Sequence, residues 1–229
     1  MNILCVIPAR GGSKRIPRKN IKPFLGKPII SYAISAAIES EVFSEIMVSS
    51  EDTEITSVAI KSGAKVPFKR SIENADDFST TADVLLEVLN QYQNIDQHFE
   101  YACCIYPTAP FVTGANLREA FKILKEQEKD VVIPVLSYEH PIQRALSIVN
   151  GKLEMVNPEN ATIRSQDLPQ RYHDSGQFYF FKVANFLAQN TLWMKNAGAI
   201  ILSHFDAHDI DTPSDWKMAE LKFEFRKES

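Results

Sequence analysis

The sequence predicts a single three-layer α/β sandwich around a mainly parallel sheet, and three observations carry that prediction. Apolar segments of strand length recur at residues 3–7, 46–48, 102–106, 131–135, 178–181 and 199–202. Helical patterns at 28–40, 54–62, 81–91, 117–127 and 216–225 fall between most of them. A cationic loop with two adjacent glycines follows the first segment directly. Strands alternating with helices need long crossovers, which make neighbouring strands parallel and cover both sheet faces.

The first helix shows the pattern most clearly: Ile29, Ile30, Ala33, Ile34, Ala37 and Ile38 repeat at three- and four-residue spacing and mark one buried face. At 229 residues the chain is near the upper end of one domain, so residues 1–229 are read as a single unit. Between residues 137 and 174 the alternation fails, and Pro141, Pro158 and Pro169 appear with Asn150-Gly151. The stretch reads as an insertion. Its segments 146–149 and 153–156 flank the Asn-Gly pair as a β-hairpin flanks a tight turn. A projecting hairpin of this kind suits a subunit contact, so a homodimer is expected.

Composition narrows the function. Hydrophobic residues make up 45% and charged ones 24%, which excludes extensive disorder. A net charge of -4 and a pI near 5.8 give no electrostatic basis for coating nucleic acid or an anionic membrane. Cys5, Cys103 and Cys104 lie in strand-like apolar runs and read as buried thiols of a reducing compartment. The N-terminal apolar stretch is short and lacks a preceding basic segment, and no apolar run approaches the roughly 20 residues that span a bilayer. A cytoplasmic location is the resulting expectation.

The candidate site begins at the loop, residues 7–20. From Pro8 to Asn20 it carries Arg10, Lys14, Arg15, Arg18 and Lys19 around Gly11 and Gly12. Glycines bring backbone N–H groups close to an anion, while arginine and lysine add charge and donors. Ligands of open α/β sheets settle beyond the carboxyl ends of the strands, where this loop lies. A polyphosphate is the natural guest; a solvated basic turn is the plain alternative. The loop has neither Gly-x-Gly-x-x-Gly nor Gly-x-x-x-x-Gly-Lys-Ser/Thr, which disfavours dinucleotide oxidoreductases and P-loop ATPases.

The run Ile7-Pro8-Ala9-Arg10-Gly11-Gly12-Ser13-Lys14, followed by Ile16-Pro17-Arg18-Lys19-Asn20-Ile21, resembles the signature of the CMP-sugar synthetases that activate sialic acids. The resemblance spans the chain and implies a Rossmann-like nucleotidyltransferase fold, with CTP as donor and a nonulosonate as acceptor. It implies that the backbone of Pro8 to Gly12 and Arg10 surround the phosphates, that Lys19 reaches them and that Asn20 contacts the nucleotide; Ser13 is a further phosphate donor. By position Arg70 and Thr81 are candidates to read the cytosine. Arg70 exposed to solvent, and Thr80 capping a helix with Asp83, are the alternatives there.

Asp209-Ile210-Asp211 follows the last strand, and two carboxylates one residue apart can share a divalent cation. Thr212, Pro213 and Asp215 also read as a capped helix start. In the family resembled, Asp209 and Asp211 hold Mg²⁺ or Mn²⁺ between triphosphate and sugar. Arg10, Lys19 and Asp211 are therefore the candidate catalytic groups.

The chain departs from sialic acid activators at Tyr106, where they carry glutamine, at Arg15 in place of glycine, and across 172–179. Those differences put Tyr106, Gln177 and Tyr179 on the sugar side. The Ser-Lys-Arg-Ile-Pro-Arg-Lys-Asn, Tyr-Pro-Thr-Ala-Pro-Phe and Asp-Thr-Pro-Ser-Asp-Trp runs look most like synthetases for pseudaminic acid. Arg144, Arg164 and Arg171 are candidates for the sugar carboxylate. Legionaminic or N-acetylneuraminic acid is the alternative acceptor. An Asp-x-Asp glycosyltransferase and a non-catalytic CMP-sensing module are the alternative activities.

Overall fold

The computed structural model describes residues 1–76 and 78–228. In chain order the elements are β1 (Ile3–Pro8), β2 (Pro23–Phe24), β3 (Lys27–Pro28), α1 (Ile30–Ser40), β4 (Glu45–Ser49), α2 (Thr53–Lys61) and α3 (Thr81–Gln93). They continue with β5 (Tyr101–Ile105), α4 (Gly114–Glu126), β6 (Val131–Ser137), β7 (Leu146–Val149), β8 (Lys152–Met155) and β9 (Tyr172–Asp174). β10 (Phe178–Lys182), α5 (Val183–Gln189), β11 (Ala197–Ile201) and α6 (Pro213–Glu228) complete the chain.

The central sheet runs β11-β6-β10-β5-β1-β4, with β9 pairing to β6. The pairs β1–β4, β1–β5 and β6–β11 are parallel, while β10 is antiparallel to both its neighbours and β9 to β6. Alternation along the strands sorts the core into two faces. Ile3, Cys5, Ile7, Cys103, Phe178 and Phe180 pack with α1, α2 and α4, whereas Leu4, Val6, Ala102, Cys104, Tyr179 and Phe181 pack with α3 and α5. The three layers are those the sequence predicts. All three cysteines are buried and unbridged, and burial pushes their thiols up.

The antiparallel β10 matters for the site. Because it runs against β5, its start lies at the carboxyl end of β5, where Tyr106 N–H donates to the Gln177 carbonyl at 2.9 Å. The hairpin of β7 and β8 forms its own two-stranded sheet within the insertion. A smaller core cluster joins Ile16, Phe24, Ile29 and Phe111 to Ile210, Trp216 and Ala219, so the cationic loop and α6 share one apolar support. No helix among the described residues is long and apolar enough to cross a membrane.

Candidate active site

A cavity of about 260 Å³ opens at the carboxyl ends of β1 and β5. Pro8, Arg10, Ser13, Lys19 and Asn20 line it from the loop, facing Arg70 and Thr81 at the start of α3, with Tyr106 on the β5 side. Asn74, Asp76 and Ser79 also line it; sequence reasoning passed over Asn74 and Asp76 because nothing in a polar stretch marks a pocket wall. A larger cavity, about 360 Å³, lies between α1 and α6 and receives none of the loop cations.

The loop presents side chains more than backbone. The Ala9 N–H donates to the Ser49 carbonyl at 2.9 Å, and the Gly11 N–H to Glu51 Oε1 at 2.6 Å. Ala9, Gly11 and Gly12 do not line the cavity, in contrast to the backbone cradle the motif suggested. Gly11 is needed for space: a Cβ there would lie 2.6 Å from Asp52 Oδ2, whereas a Cβ on Gly12 meets nothing within 4 Å. Gly11→Ala should therefore cost about 1–3 kcal/mol of stability, as overpacking does, and Gly12→Ala almost none. Equal unfolding midpoints for the two variants would contradict that account.

The crowding at Gly11 comes from a brace. Arg18 forks onto Asp52 with contacts of 2.5 and 2.9 Å and reaches Glu54, while Asp52 Oδ1 caps α2 by accepting from the Glu54 and Ile55 N–H groups. The Arg18 hydrogen bond, followed by the capping bonds, holds the Asp52 carboxyl down at about 2. Its folded value thus lies below the ordinary Asp value of about 3.9, so this stabilisation is present above about pH 4 and is lost as pH falls toward 2. Asp52→Asn keeps a helix cap but gives up the ion pair with Arg18, so it should lower stability by about 1 kcal/mol at most at pH 7 and by little once pH falls to about 2. Acid unfolding curves that stay parallel across that window would refute the assignment.

Arg70 is buried, 5% exposed, and donates from Nε to Ser49 Oγ at 3.0 Å and from Nη2 to the Ser49 carbonyl at 2.7 Å. It is therefore not the solvated arginine of the plain alternative. Burial draws its pKa down, against the charges of Glu51 and Glu87. The cap at α3 also forms: Thr80 and Asp83 make a reciprocal capping box. Thr81, the first helical residue, is thereby fixed at the cavity wall.

Asp209 and Asp211 project beside Lys19. Between them Ile210 is fully buried against Ile16 and Trp216, which turns both carboxylates away from that core. Lys19 Nζ donates to the Ile210 carbonyl at 2.8 Å and lies 3.5 Å from Asp211 Oδ1; Arg15 Nη2 is 2.9 Å from the same oxygen. Asp209 is open to solvent on one side, yet the protein crowding its carboxyl, and then Asp211, raise its pKa. The predicted helix start is present too, with Thr212 and Asp215 bonding reciprocally. No group of three or more candidate metal ligands occurs among the described residues. Two carboxylates fit a hard cation that takes its other ligands from phosphate oxygens and water, as Mg²⁺ usually does.

At the β5–β10 edge, Tyr179 donates to Asp174 and Tyr106 Oη lies 3.1 Å from Thr81 Oγ1. Gln177 is 1% exposed, and neither its amide oxygen nor its nitrogen has a partner among the described residues; the buried Ser175 hydroxyl has none either. Gly176, in the left-handed region at φ 64°, brings this turn against Asp209.

The insertion arginines do not converge on the cavity within one chain. Arg144 donates to the Ala161 carbonyl at 2.9 Å and to Ser165 Oγ at 3.3 Å, and Arg164 pairs with Asp167 at 2.7 Å. Arg171 lines a separate cavity of about 250 Å³ with Tyr138 and Gln143. Local contacts inside the insertion hold the first two; spacing in sequence carried no sign of them.

Loop cations around a cavity at the strand ends, with an acidic pair beside Lys19, define an α/β protein built to hold a polyphosphate. A family model described as "Cytidylyltransferase" matches residues 4–208. A pseudaminic acid cytidylyltransferase of Campylobacter jejuni is 38% identical over 230 residues, covering 100% of this chain and 99% of that protein. A CMP-N,N'-diacetyllegionaminic acid synthase of Legionella pneumophila is 32% identical, with coverage of 100% and 99%. The solved structure of CMP:2-keto-3-deoxy-manno-octonic acid synthetase complexed with CTP matches at a TM-score of 0.70 and 16% identity, covering 100% of both chains, which shows a shared fold. The chain belongs to the cytidylyltransferase family.

Proposed function

We propose that this enzyme transfers CMP from CTP to a nonulosonate, most specifically pseudaminic acid, and releases pyrophosphate. The observation that carries the reading is the cavity in which Arg10, Ser13 and Lys19 of the loop face Arg70 and Thr81. The 38% identity to a pseudaminic acid cytidylyltransferase over the whole chain supports the choice of sugar.

The anomeric hydroxyl of the sugar attacks the α-phosphorus of CTP in line. A new P–O bond forms to the sugar, the α–β phosphoanhydride bond breaks, and pyrophosphate leaves with its electron pair. No enzyme nucleophile is needed. Arg10 and Lys19 hold the phosphates and offset the charge that develops on them, which is positioning and electrostatic catalysis. Arg70 and Thr81 bind the base. A divalent cation held by Asp209 and Asp211 would neutralise charge at the α-phosphate and the leaving group. Gln177 offers a buried amide that the protein leaves unpaired, a state costing about 1–3 kcal/mol, and a polar group of the sugar relieves it. Arg144 and Arg164 are engaged inside the insertion, so of the three candidates Arg171, which lines its own cavity, is the one we assign to the carboxylate.

Offering pseudaminic, legionaminic and N-acetylneuraminic acids separately with CTP and Mg²⁺ tests the acceptor. Pseudaminic acid should give the highest kcat/KM, and a higher value for either other sugar overturns that choice.

The insertion, residues 137–174, is further read as a homodimer contact. Leu146, Ile148, Leu153 and Val156 are 55%, 76%, 66% and 55% exposed, an apolar surface that a second copy covers. Ile148→Asp with Leu153→Asp should convert a dimer to a monomer in sedimentation. Wild type sedimenting as a monomer at micromolar concentration would contradict this.

A further inference from the structure

Arg15 stands where sialic acid activators carry glycine, and neither the phosphate cavity nor the Arg18 brace accounts for it. Its side chain does not line the cavity. Instead its Nη2 lies 2.9 Å from Asp211 Oδ1, and Asp211 is its ion-pair partner among the described residues. Lys19 Nζ is 3.5 Å from the same oxygen and is held there by its bond to the Ile210 carbonyl.

The backbone sets this pairing. Ile16 and Ile210 are buried in one apolar cluster with Phe24 and Trp216. The residues flanking them, Arg15 on one segment and Asp209 and Asp211 on the other, are thereby brought together at its surface. A glycine at position 15 keeps the anchor at Ile16 but has no charge to place on Asp211. The consequence is a balance of charge. Two carboxylates face two cations, Arg15 and Lys19, so the nucleotide-free pair has little net charge with which to draw in a divalent ion. Whichever Asp211 oxygen such an ion takes, it meets the guanidinium held on the same carboxylate, and the like charges repel. The Arg15 contact is also easily given up, because Arg15 is exposed, Asp211 is partly so, and ion pairs of that kind are weak.

We propose that Arg15 is a positioning residue for the metal-binding carboxylates: as the counter-ion of Asp211 it withholds that aspartate from a divalent cation until the triphosphate arrives. The triphosphate brings negative charge to the loop that carries Arg15 between Ser13 and Lys19 on the cavity wall, and that charge draws the guanidinium off Asp211. The freed carboxylate joins Asp209, and phosphate oxygens supply the ligands that two carboxylates lack. By linkage, nucleotide and metal each tighten the binding of the other by the same factor. The inference rests on the assignment of Asp209 and Asp211 to a divalent cation.

Titration of the nucleotide-free enzyme with Mn²⁺, followed by the paramagnetic signal of the free ion, tests it. Arg15→Gln should bind Mn²⁺ about fivefold more tightly than wild type, the scale of one exposed ion pair released. A misfolded variant loses affinity, so a gain is not a packing defect. Asp211→Ala should weaken Mn²⁺ binding, and adding Arg15→Gln to it should restore none of the loss. A gain in that background as large as in the wild-type background reports only the removal of a nearby charge and overturns the proposal. Preformed Mn²⁺–CTP, titrated by calorimetry with sugar omitted, should bind Arg15→Gln no more tightly than wild type, because the triphosphate compensates the guanidinium it releases. A gain that persists with Mn²⁺–CTP shows Arg15 opposing the metal whatever the nucleotide, and overturns the coupling. Arg15→Gln binding Mn²⁺ no better than wild type, with Asp211→Ala weakened, overturns this inference alone. Wild type and Asp211→Ala binding Mn²⁺ alike overturns the metal assignment as well.

Discussion

Replacing Asp211 with alanine should lower kcat on the order of a thousandfold, the scale of removing a charge-stabilising group at a transferring phosphoryl centre, while the unfolding midpoint stays within a degree or two. The two halves of that expectation have separate causes. Asp211 makes its side-chain contacts with Arg15 and Lys19 at 2.9 and 3.5 Å, and the Arg15 side chain is 67% exposed. Ion pairs of that kind contribute at most about 1 kcal/mol. The bond from the Asp211 N–H to Asp215 Oδ2 uses backbone and survives the substitution. The expected outcome is thus a loss of activity without a loss of fold. Full turnover in Asp211→Ala would remove the metal assignment, and a large fall in unfolding midpoint would make Asp211 a structural residue.

Lys19→Met should reduce kcat/KM for CTP about a hundredfold. The methionine keeps much of the stem volume but gives up the ammonium, which lies 2.8 Å from the Ile210 carbonyl and joins the cationic loop to the acidic pair. A charge-assisted bond to phosphate is worth roughly twice a neutral one, and the loss also leaves Asp211 with Arg15 as its remaining ion-pair partner. Steady-state kinetics with CTP varied at saturating sugar checks this. An unchanged kcat/KM would place Lys19 outside the phosphate site.

The fold was legible in the sequence because its central strands and large helices are strongly patterned. Residues 28–40 and 81–91 each show one apolar face, and the segments at 102–106 and 131–135 are uniformly apolar as strands buried on both faces are. Direction was less visible. The segment Phe178–Lys182 is buried on both faces in either orientation, so its antiparallel pairing with β5 leaves no trace in its pattern. α5 was missed because Val183–Gln189 follows β10 with no intervening loop and is only seven residues long. β9, three residues long, lies among prolines and charges and pairs only through the fold.

The site divides along similar lines. Arg10, Lys19 and Asn20 were legible because a dense cationic motif sits at a strand end, and the structure gathers them at one cavity. Contacts that depend on sheet order were not. β4 lies beside β1, so Glu51 and Asp52 meet Gly11 and Arg18 across some forty residues of sequence, and no local pattern announces it. The start of β10 lies against the end of β5, an adjacency that no local pattern announces either. Tyr106 was read toward the sugar, and the same adjacency sets it on the wall that Thr81 shares.

The central claim is a transfer of CMP from CTP, and the stoichiometry of one reaction tests it most directly. Purified enzyme, CTP, pseudaminic acid and Mg²⁺ should yield CMP-sugar and pyrophosphate in equal amounts, each matching the CTP consumed, with nothing released when the sugar is omitted. Pyrophosphate formed without sugar, or CMP released from a CMP-sugar supplied in place of CTP, would contradict it and point to a hydrolase or a glycosyltransferase.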